Sequence, residues 1–280
     1  MTTILDGKKL SIKILEKLSE EIKTLDKKPS LAVILIGDSP ASQLYVNLKR
    51  KAAEKIGITS TVLTYPQNID EKTVLEKISE LNNDKSVDAI LVQLPLPPQI
   101  NSTKVIQAIS PKKDVDGFTP ENIGKISIGA KPYAYPCTPR GILTLLEEYK
   151  INPQGKHVVI VGRSNIVGKP LAQMLLNKNA TVTICHSATT NLSDITKTAD
   201  ILISAVGKAK LIKKDMIKNN SVIIDVGTSK VDDKLFGDVD FENLSELTSY
   251  ITPVPGGVGP MTIASLMTNT YELFKLNRQA

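Results

Sequence analysis

The sequence is poor in the residue types that most often announce chemistry. Its 280 residues include two cysteines, Cys137 and Cys185, and two histidines, His157 and His186. Two cysteines cannot make a disulfide framework and suit a reducing compartment. With no CxxC pair and so little histidine, a zinc cluster or a histidine-based nucleophile triad has little to work with, and no metal site is expected. Arginine is scarce too: of 35 basic residues only Arg50, Arg140, Arg163 and Arg278 are arginine. Nucleic-acid readers favour arginine forks. Here the lysines are scattered among acids, so the net charge of +6 reads as a solvated surface and no nucleic-acid partner is expected. The longest aliphatic run, Leu31 to Ile36, falls far short of the ~20 residues of a membrane helix. Asp6, Lys8 and Lys9 stand where an export signal would keep its apolar stretch. The expectation is a cytoplasmic protein without membrane contact.

What is present is 41% hydrophobic and 23% charged, ordinary for a globular chain of about two domains at ~100–200 residues each. Strand and helix patterns alternate, which argues α/β with mostly parallel strands. Leu10, Ile14, Leu18 and Ile22 mark one face of a helix over 8–26. A buried strand at 31–36 is followed by Gly37-Asp38-Ser39-Pro40, a turn with a serine N-cap and proline at the first helical position. That helix runs to about Ile56 and stops at Gly57. Strands are expected at 58–63 and 87–92, with helices at 70–81 and after Asn101. Residues 110–137, with four prolines and little periodicity, read as a functional loop or linker. A second series follows: a helix from Thr138-Pro139 to about Tyr149, strands at 157–161, 180–185, 201–205 and 221–225, a hairpin at 228–237 and a final helix at 261–275. The two halves meet near residue 140.

The clearest local signal is the strand His157–Val161 running into Gly162-Arg163-Ser164-Asn165-Ile166-Val167-Gly168-Lys169-Pro170. A glycine turn between strand and helix aims backbone N–H groups at a phosphate. It is not a P-loop, since five residues separate the glycines and Pro170 stands where Ser or Thr would bind Mg²⁺. Nor is it the standard GxGxxG, because Ser164 replaces the second glycine and the third comes one residue late. The next strand ends in His186-Ser187, without the acid that takes an NAD ribose. Arg163 and Ser187 instead suit a 2′-phosphate, so NADP is preferred over NAD. His186 reads as a strand-end residue, and Asp225-Val226-Gly227-Thr228 ends a later parallel strand on the ligand edge. In the first half Tyr45 and Lys49 share a helix face, and Gln93 follows an apolar strand at its carboxyl end. Asp114 and Asp116 lie in the aperiodic loop, where carboxylates are usually solvated or turn-forming. Three glycines between prolines make Pro253–Thr262 a fixed, side-chain-poor loop against which a flat ligand can lie.

Six segments taken together resemble the bifunctional methylenetetrahydrofolate dehydrogenase/cyclohydrolase family: Tyr45–Lys49, Val92–Pro97, Lys113–Phe118, Pro136–Gly141, Gly162–Ser164 with Val167–Pro170, and Pro253–Thr262. They stand in family order and span nearly the whole chain. The resemblance implies two three-layer α/β domains around a cleft, the second a Rossmann-like NADP-binding domain. Residues 1–138 with a returning helix 261–280 would bind folate, and 139–260 would bind NADP. It implies that Lys49 is the catalytic lysine, that Tyr45 packs on the folate ring, that Gln93 positions Lys49 and that Asp116 hydrogen-bonds the pterin. Val92, Leu94, Pro255, Gly256 and Gly257 would also contact folate. Gly162, Arg163, Ser164, Ser187 and Thr228 would contact the cofactor. Position 228 is often isoleucine in the family, but a backbone contact tolerates threonine. A homodimer is expected from the family alone.

The implied reactions are oxidation of 5,10-methylenetetrahydrofolate with NADP and hydrolysis of the methenyl product to 10-formyltetrahydrofolate, within one-carbon metabolism and purine supply. Without a histidine in the set, the hydrolytic proton shuttle falls to Lys49. Its ordinary pKa of about 10.4 would have to be lowered by burial and by the neighbouring cations Arg50 and Lys51. A monofunctional dehydrogenase of the same family would be expected to lack Lys49 or Gln93. A shikimate-type dehydrogenase would use another lysine–aspartate pair and lack the 253–262 loop. A protein that binds NADP without turnover requires the Tyr45, Lys49, Gln93 and Asp116 set to be coincidence.

Overall fold

The computed structural model describes residues 2–232 and 234–279. In chain order its elements begin β1 Thr3–Ile4, α1 Gly7–Lys23, β2 Ser30–Ile36, α2 Pro40–Ile56, β3 Thr59–Tyr65, α3 Glu71–Asn83 and β4 Ala89–Val92. Next come α4 Ser102–Ala108, α5 Pro120–Ser127, α6 Cys137–Glu148, β5 His157–Val161, α7 Gly168–Leu176, β6 Thr181–Cys185, α8 Leu192–Thr196 and β7 Ile201–Ser204. The chain closes with β8 Val222–Asp225, β9 Ser229–Val231, β10 Lys234–Phe236, α9 Phe241–Leu244, β11 Tyr250–Ile251 and α10 Val258–Gln279. It divides into two compact units, residues 13–137 with 263–280 and residues 1–12 with 138–262.

The first of these units holds a three-stranded parallel sheet in the order β3-β2-β4. Its central strand β2 is a continuous apolar run because both of its faces are covered. Leu31, Val33 and Leu35 join a cluster with Leu18 and Ile22 of α1, Val46 and Ile56 of α2, and Leu266 and Phe274 of α10. Ile34 and Ile36 join the opposite cluster with Val74 and Ile78 of α3 and Val105 of α4. The result is helix, sheet, helix, the three layers expected. Helix α2 starts with Pro40 in its first turn and ends where Gly57 takes φ +88°. The Ser39 side chain makes no capping bond, so the proline ring rather than the serine hydroxyl sets this start. Asp70 and Asn101 do cap α3 and α4 through their side chains.

The other unit is built on a six-stranded parallel sheet in the order β1-β11-β8-β7-β5-β6. Val159, Val161, Leu202, Ile223 and Ile251 present one face of it to a core with Ile212, Val239 and Leu244. β9 and β10 form the antiparallel hairpin expected at 228–237.

Three features differ from the sequence reading. Residues 110–137 contain helix α5, whose buried positions are Asn122 and Ile126. A polar residue in the buried stripe hides it from a hydrophobic period. The strands β1 and β11 are two residues each, too short for any period, and their parallel pairing draws residues 1–12 into the six-stranded unit rather than into a folate domain spanning 1–138. Helix α10 begins at Val258 rather than 261, so Gly259 and Pro260 lie in its first turn, where proline is tolerated. The fixed loop is therefore Pro253–Gly257.

Candidate active site

Helix α2 places Tyr45 and Lys49 one turn apart on a common face, with Tyr45 42% exposed. Gln93 sits just past β4, and its N–H donates to Ile34 O at 2.9 Å, so the residue is anchored to the central strand. Its side-chain Nε2 donates to Leu94 O at 2.7 Å, which leaves Oε1 to accept from Lys49 Nζ at 3.0 Å. Leu94 precedes Pro95 through a cis bond. Val92 is buried in the Ile34 and Ile36 cluster, so only its backbone is available to a ligand.

Asp116 completes this group. Burial pushes its carboxyl above the usual carboxylate range, the Lys49 ammonium opposes that shift, and Asp114 adds to it. The loop that carries Asp116 is held by Asp114, which the sequence reads as an ordinary solvated or turn-forming loop acid, and by Asn269, which it does not single out. Buried Asp114 accepts from Gly117 N at 3.0 Å, Thr119 N at 2.7 Å and Asn122 Nδ2 at 3.0 Å. Asn269, fully buried in α10, donates to Val115 O at 2.7 Å and Tyr135 O at 2.8 Å. Its only sequence signal is an asparagine inside an apolar helix face. The expected cationic surround of Lys49 does not form. Arg50 turns to Glu54 at 2.7 Å, and Lys51 is exposed, because positions one and two residues along a helix leave the Lys49 face. The Lys49 ammonium acts instead on the carboxyl of Asp116.

In the six-stranded unit the chain reverses its strand order at β5, which lies between β6 and β7. Ligands of open parallel sheets bind at the carboxyl edge of such a switch point. There Gly162 takes φ +127°, and a Cβ on it would lie 2.5 Å from Ala205 O. A Cβ on Gly168 would overlap Gly162 O, so both glycines of the turn are required. Ser164 Oγ accepts from Val167 N at 3.1 Å and Gly168 N at 3.4 Å, so it closes the turn from within. Beside the turn is a cleft of about 540 Å³ lined by Gly162, Arg163, His186, Ser187, Ala205 and Lys208, among others. Ser164 and exposed Thr228 are not part of that lining. His186 Nδ1 accepts from Ala188 N at 3.2 Å, which shapes the turn after β6. No acid stands at the end of β6, and Arg163 and Ser187 share the cleft. The donor set therefore fits a 2′-phosphate better than a free ribose 2′-OH.

The Pro253–Gly257 loop has a cis Val254–Pro255 bond and Gly256 at φ +109°. Gly257 N donates to Pro253 O at 2.9 Å, and Gly256 O accepts from Lys8 N at 2.8 Å. Pro255, Gly256 and Gly257 thus form a backbone surface tied to the start of α1. Among the described residues no group of three or more His, Cys, Asp or Glu side chains could hold a metal ion. No helix of those residues is long and apolar enough to cross a membrane.

Comparison with known families matches residues 5–116 to the tetrahydrofolate dehydrogenase/cyclohydrolase catalytic domain and residues 136–278 to the same family's NAD(P)-binding domain. The chain belongs to this family. A tetrahydrofolate dehydrogenase/cyclohydrolase relative, the bifunctional protein FolD of Francisella philomiragia, is 52% identical over 99% of this chain and 100% of its own. The crystal structure of the bifunctional FolD enzyme of Campylobacter jejuni superposes with TM-score 0.97 at 49% identity, covering 99% of each chain. The Trypanosoma brucei dehydrogenase-cyclohydrolase, solved with NADP cofactor and inhibitor, gives TM-score 0.97 at 37% identity over 100% of this chain and 99% of its own. A shikimate dehydrogenase of Aquifex aeolicus shares only the fold, at TM-score 0.55 and 14% identity.

Proposed function

We propose that this family member oxidises 5,10-methylenetetrahydrofolate with NADP and hydrolyses the methenyl product to 10-formyltetrahydrofolate, with folate held by the unit of residues 13–137 and NADP by the six-stranded unit. The observation that carries the reading is the Lys49–Gln93 bond at 3.0 Å, together with the half-buried Asp116, on whose carboxyl the Lys49 ammonium acts. An ammonium group has three donors. Gln93 takes one and fixes the direction of the side chain, leaving two for folate and for the water that adds to the methenyl carbon. Lys49 Nζ is thereby the group placed to relay a proton. Tyr45, one turn before it, offers its ring to the flat pterin, and Asp116 offers a carboxyl to the pterin's polar edge. Leu94 and the Val92 backbone flank Gln93.

In the six-stranded unit Arg163 and Ser187 bind the 2′-phosphate, while Gly162, Ser164 and Thr228 give backbone contacts. NADP, when bound, supplies the hydride acceptor for the first reaction. The second uses folate and water only, so it reports on the Lys49 group alone. The reading extends to a cytoplasmic homodimer that works in one-carbon metabolism and supplies purine synthesis, without nucleic-acid or membrane partners. Two buried cysteines, too few for a disulfide framework, are consistent with a reducing compartment. Light scattering after size exclusion checks the dimer.

The direct test is Lys49→Met, assayed with methenyltetrahydrofolate in the absence of NADP. Cyclohydrolase turnover should fall by about 100-fold or more, the usual scale for loss of a general acid–base group. Calorimetric NADP binding should stay unchanged. Turnover near that of the wild type would remove Lys49 from the mechanism.

A further inference from the structure

The switch-point cleft is bounded on its β7 side by the turn after Ser204, from which Ala205, Val206 and Lys208 line it. The hydrogen-bond donors of that turn converge on one distant carboxylate. Asp238 Oδ2 accepts from Ser204 Oγ at 2.9 Å and Val206 N at 2.7 Å, and its Oδ1 accepts from Lys208 N at 2.7 Å. A second carboxylate stands behind it. Asp225 Oδ1 accepts from Asp238 N at 2.9 Å and Gly227 N at 3.0 Å, and its Oδ2 accepts from Val239 N at 2.9 Å. Both side chains are fully buried, and among the described residues no cation is ion-paired to either. The fit is close enough to dictate two glycines. A Cβ at Gly227 would overlap the Asp238 carboxylate, and one at Gly237 would overlap that of Asp225.

Two buried carboxylates without a cation are costly unless their acceptors are filled. Here six donors fill them: two, Val206 N and Lys208 N, belong to the wall of the cleft, and Ser204 Oγ belongs to the strand end that leads into it. A carboxylate accepts at both oxygens, so one rigid group can hold N–H donors two residues apart. An amide offers one acceptor and would meet one of those donors with its own NH₂. Ala205 is also the residue whose carbonyl lies against Gly162, so the placement of this turn sets the width of the switch point.

We propose that Asp238, seated by Asp225, is a positioning residue for the cofactor: it holds the 205–208 wall at the separation from Gly162 and Arg163 that NADP requires. This rests on the NADP reading above and deepens it. Asp238 touches no ligand and acts through the backbone of Val206 and Lys208.

The test is Asp238→Asn in the full-length chain, with three readouts. The calorimetric Kd for NADP and the dehydrogenase KM for NADP should each rise about tenfold. Dehydrogenase kcat at saturating NADP should change less than twofold, and NADP-free cyclohydrolase turnover should stay within twofold of wild type. Unchanged NADP affinity overturns the proposal. So does an equal fall in both activities, because that marks a general structural role. Wild-type chain that fails to bind NADP at all would instead count against the NADP reading. If Asp238→Asn does not fold, Ser204→Ala decides. It removes one donor and keeps both carboxylates, so NADP Kd should rise about threefold with cyclohydrolase intact, and an unchanged Kd overturns the proposal.

Discussion

The Lys49 site and the switch-point cleft are built on opposite plans. At Lys49 the groups proposed to work are side chains: an ammonium bonded to an amide, and a carboxyl on which the ammonium acts, carried by a helix, a strand end and a loop. At the cleft the shape is set mostly by backbone: a glycine turn, the wall after β7 and two buried carboxylates that do not line the cleft. The first plan places chemistry in residues whose replacement changes reactivity. The second places it in residues whose replacement changes shape. Substitutions should therefore separate cleanly, with kcat of the hydrolysis answering to one site and NADP affinity to the other.

The sharpest break is expected at Gly162→Ala. The new Cβ would stand 2.5 Å from Ala205 O, at a backbone φ of +127° that L side chains rarely adopt. The turn has to open, and NADP affinity should fall by about 100-fold while NADP-free cyclohydrolase turnover survives. If NADP still binds normally, the closeness of β5 and β7 is not what shapes the cleft. Next in size is Arg163→Ala. A charge-assisted bond is worth about 1.5–3 kcal/mol, so KM for NADP should rise ten- to a hundredfold with little change for NAD. Equal losses with both cofactors would refute the 2′-phosphate role.

The same contrast explains what could be read in advance. The side chains proposed to act directly left marks in the sequence: Tyr45 and Lys49 at helical spacing, Gln93 after an apolar strand, Arg163 in a chain short of arginine. The parallel sheets were legible because strands such as 31–36 are buried on both faces and lose their alternation. The supports were not legible. Asp114 and Asp238 have the composition of loop acids, and only the fold shows that they are buried and take three donors each. Helix α5 was hidden by Asn122, a polar residue in its buried stripe. β1 and β11 were hidden by their length, and with them the attachment of residues 1–12 to the later sheet. The charge environment of Lys49 was misread because adjacency in sequence was taken for adjacency on a helix, where neighbours point away.

Asp114→Asn probes the support of the side-chain site. It leaves at least one of three buried donors without an acceptor, which costs about 1–3 kcal/mol of stability. Denaturant midpoints should fall accordingly, and KM for folate should rise severalfold as the Asp116 loop loosens. NADP binding should not move. A stable variant with normal folate KM would show that Asn269 alone holds the loop.

The smallest change in either activity, with a distinct signature in stability, is expected from Asp225→Asn. Burial pushes the Asp225 carboxyl up to about 7 from an unperturbed 3.8, with Asp238 adding to the shift and the three N–H donors opposing it. Between about pH 4 and pH 7 the folded chain thus keeps a proton that the unfolded chain releases. Stability from this group falls as pH rises through that window, and it is flat below pH 4, where both states are protonated, and above pH 7, where both are ionised. Asparagine cannot titrate. The variant should therefore gain on wild type by up to about 1.4 kcal/mol per pH unit across the window and by nothing outside it. Denaturant unfolding of both proteins at pH 4, 5.5, 7 and 8.5 measures this difference directly. A difference independent of pH would mean that Asp225 is ionised throughout. The six donors would then be sufficient to hold two carboxylates charged behind the cofactor wall, and the wall's position would not depend on pH in this range.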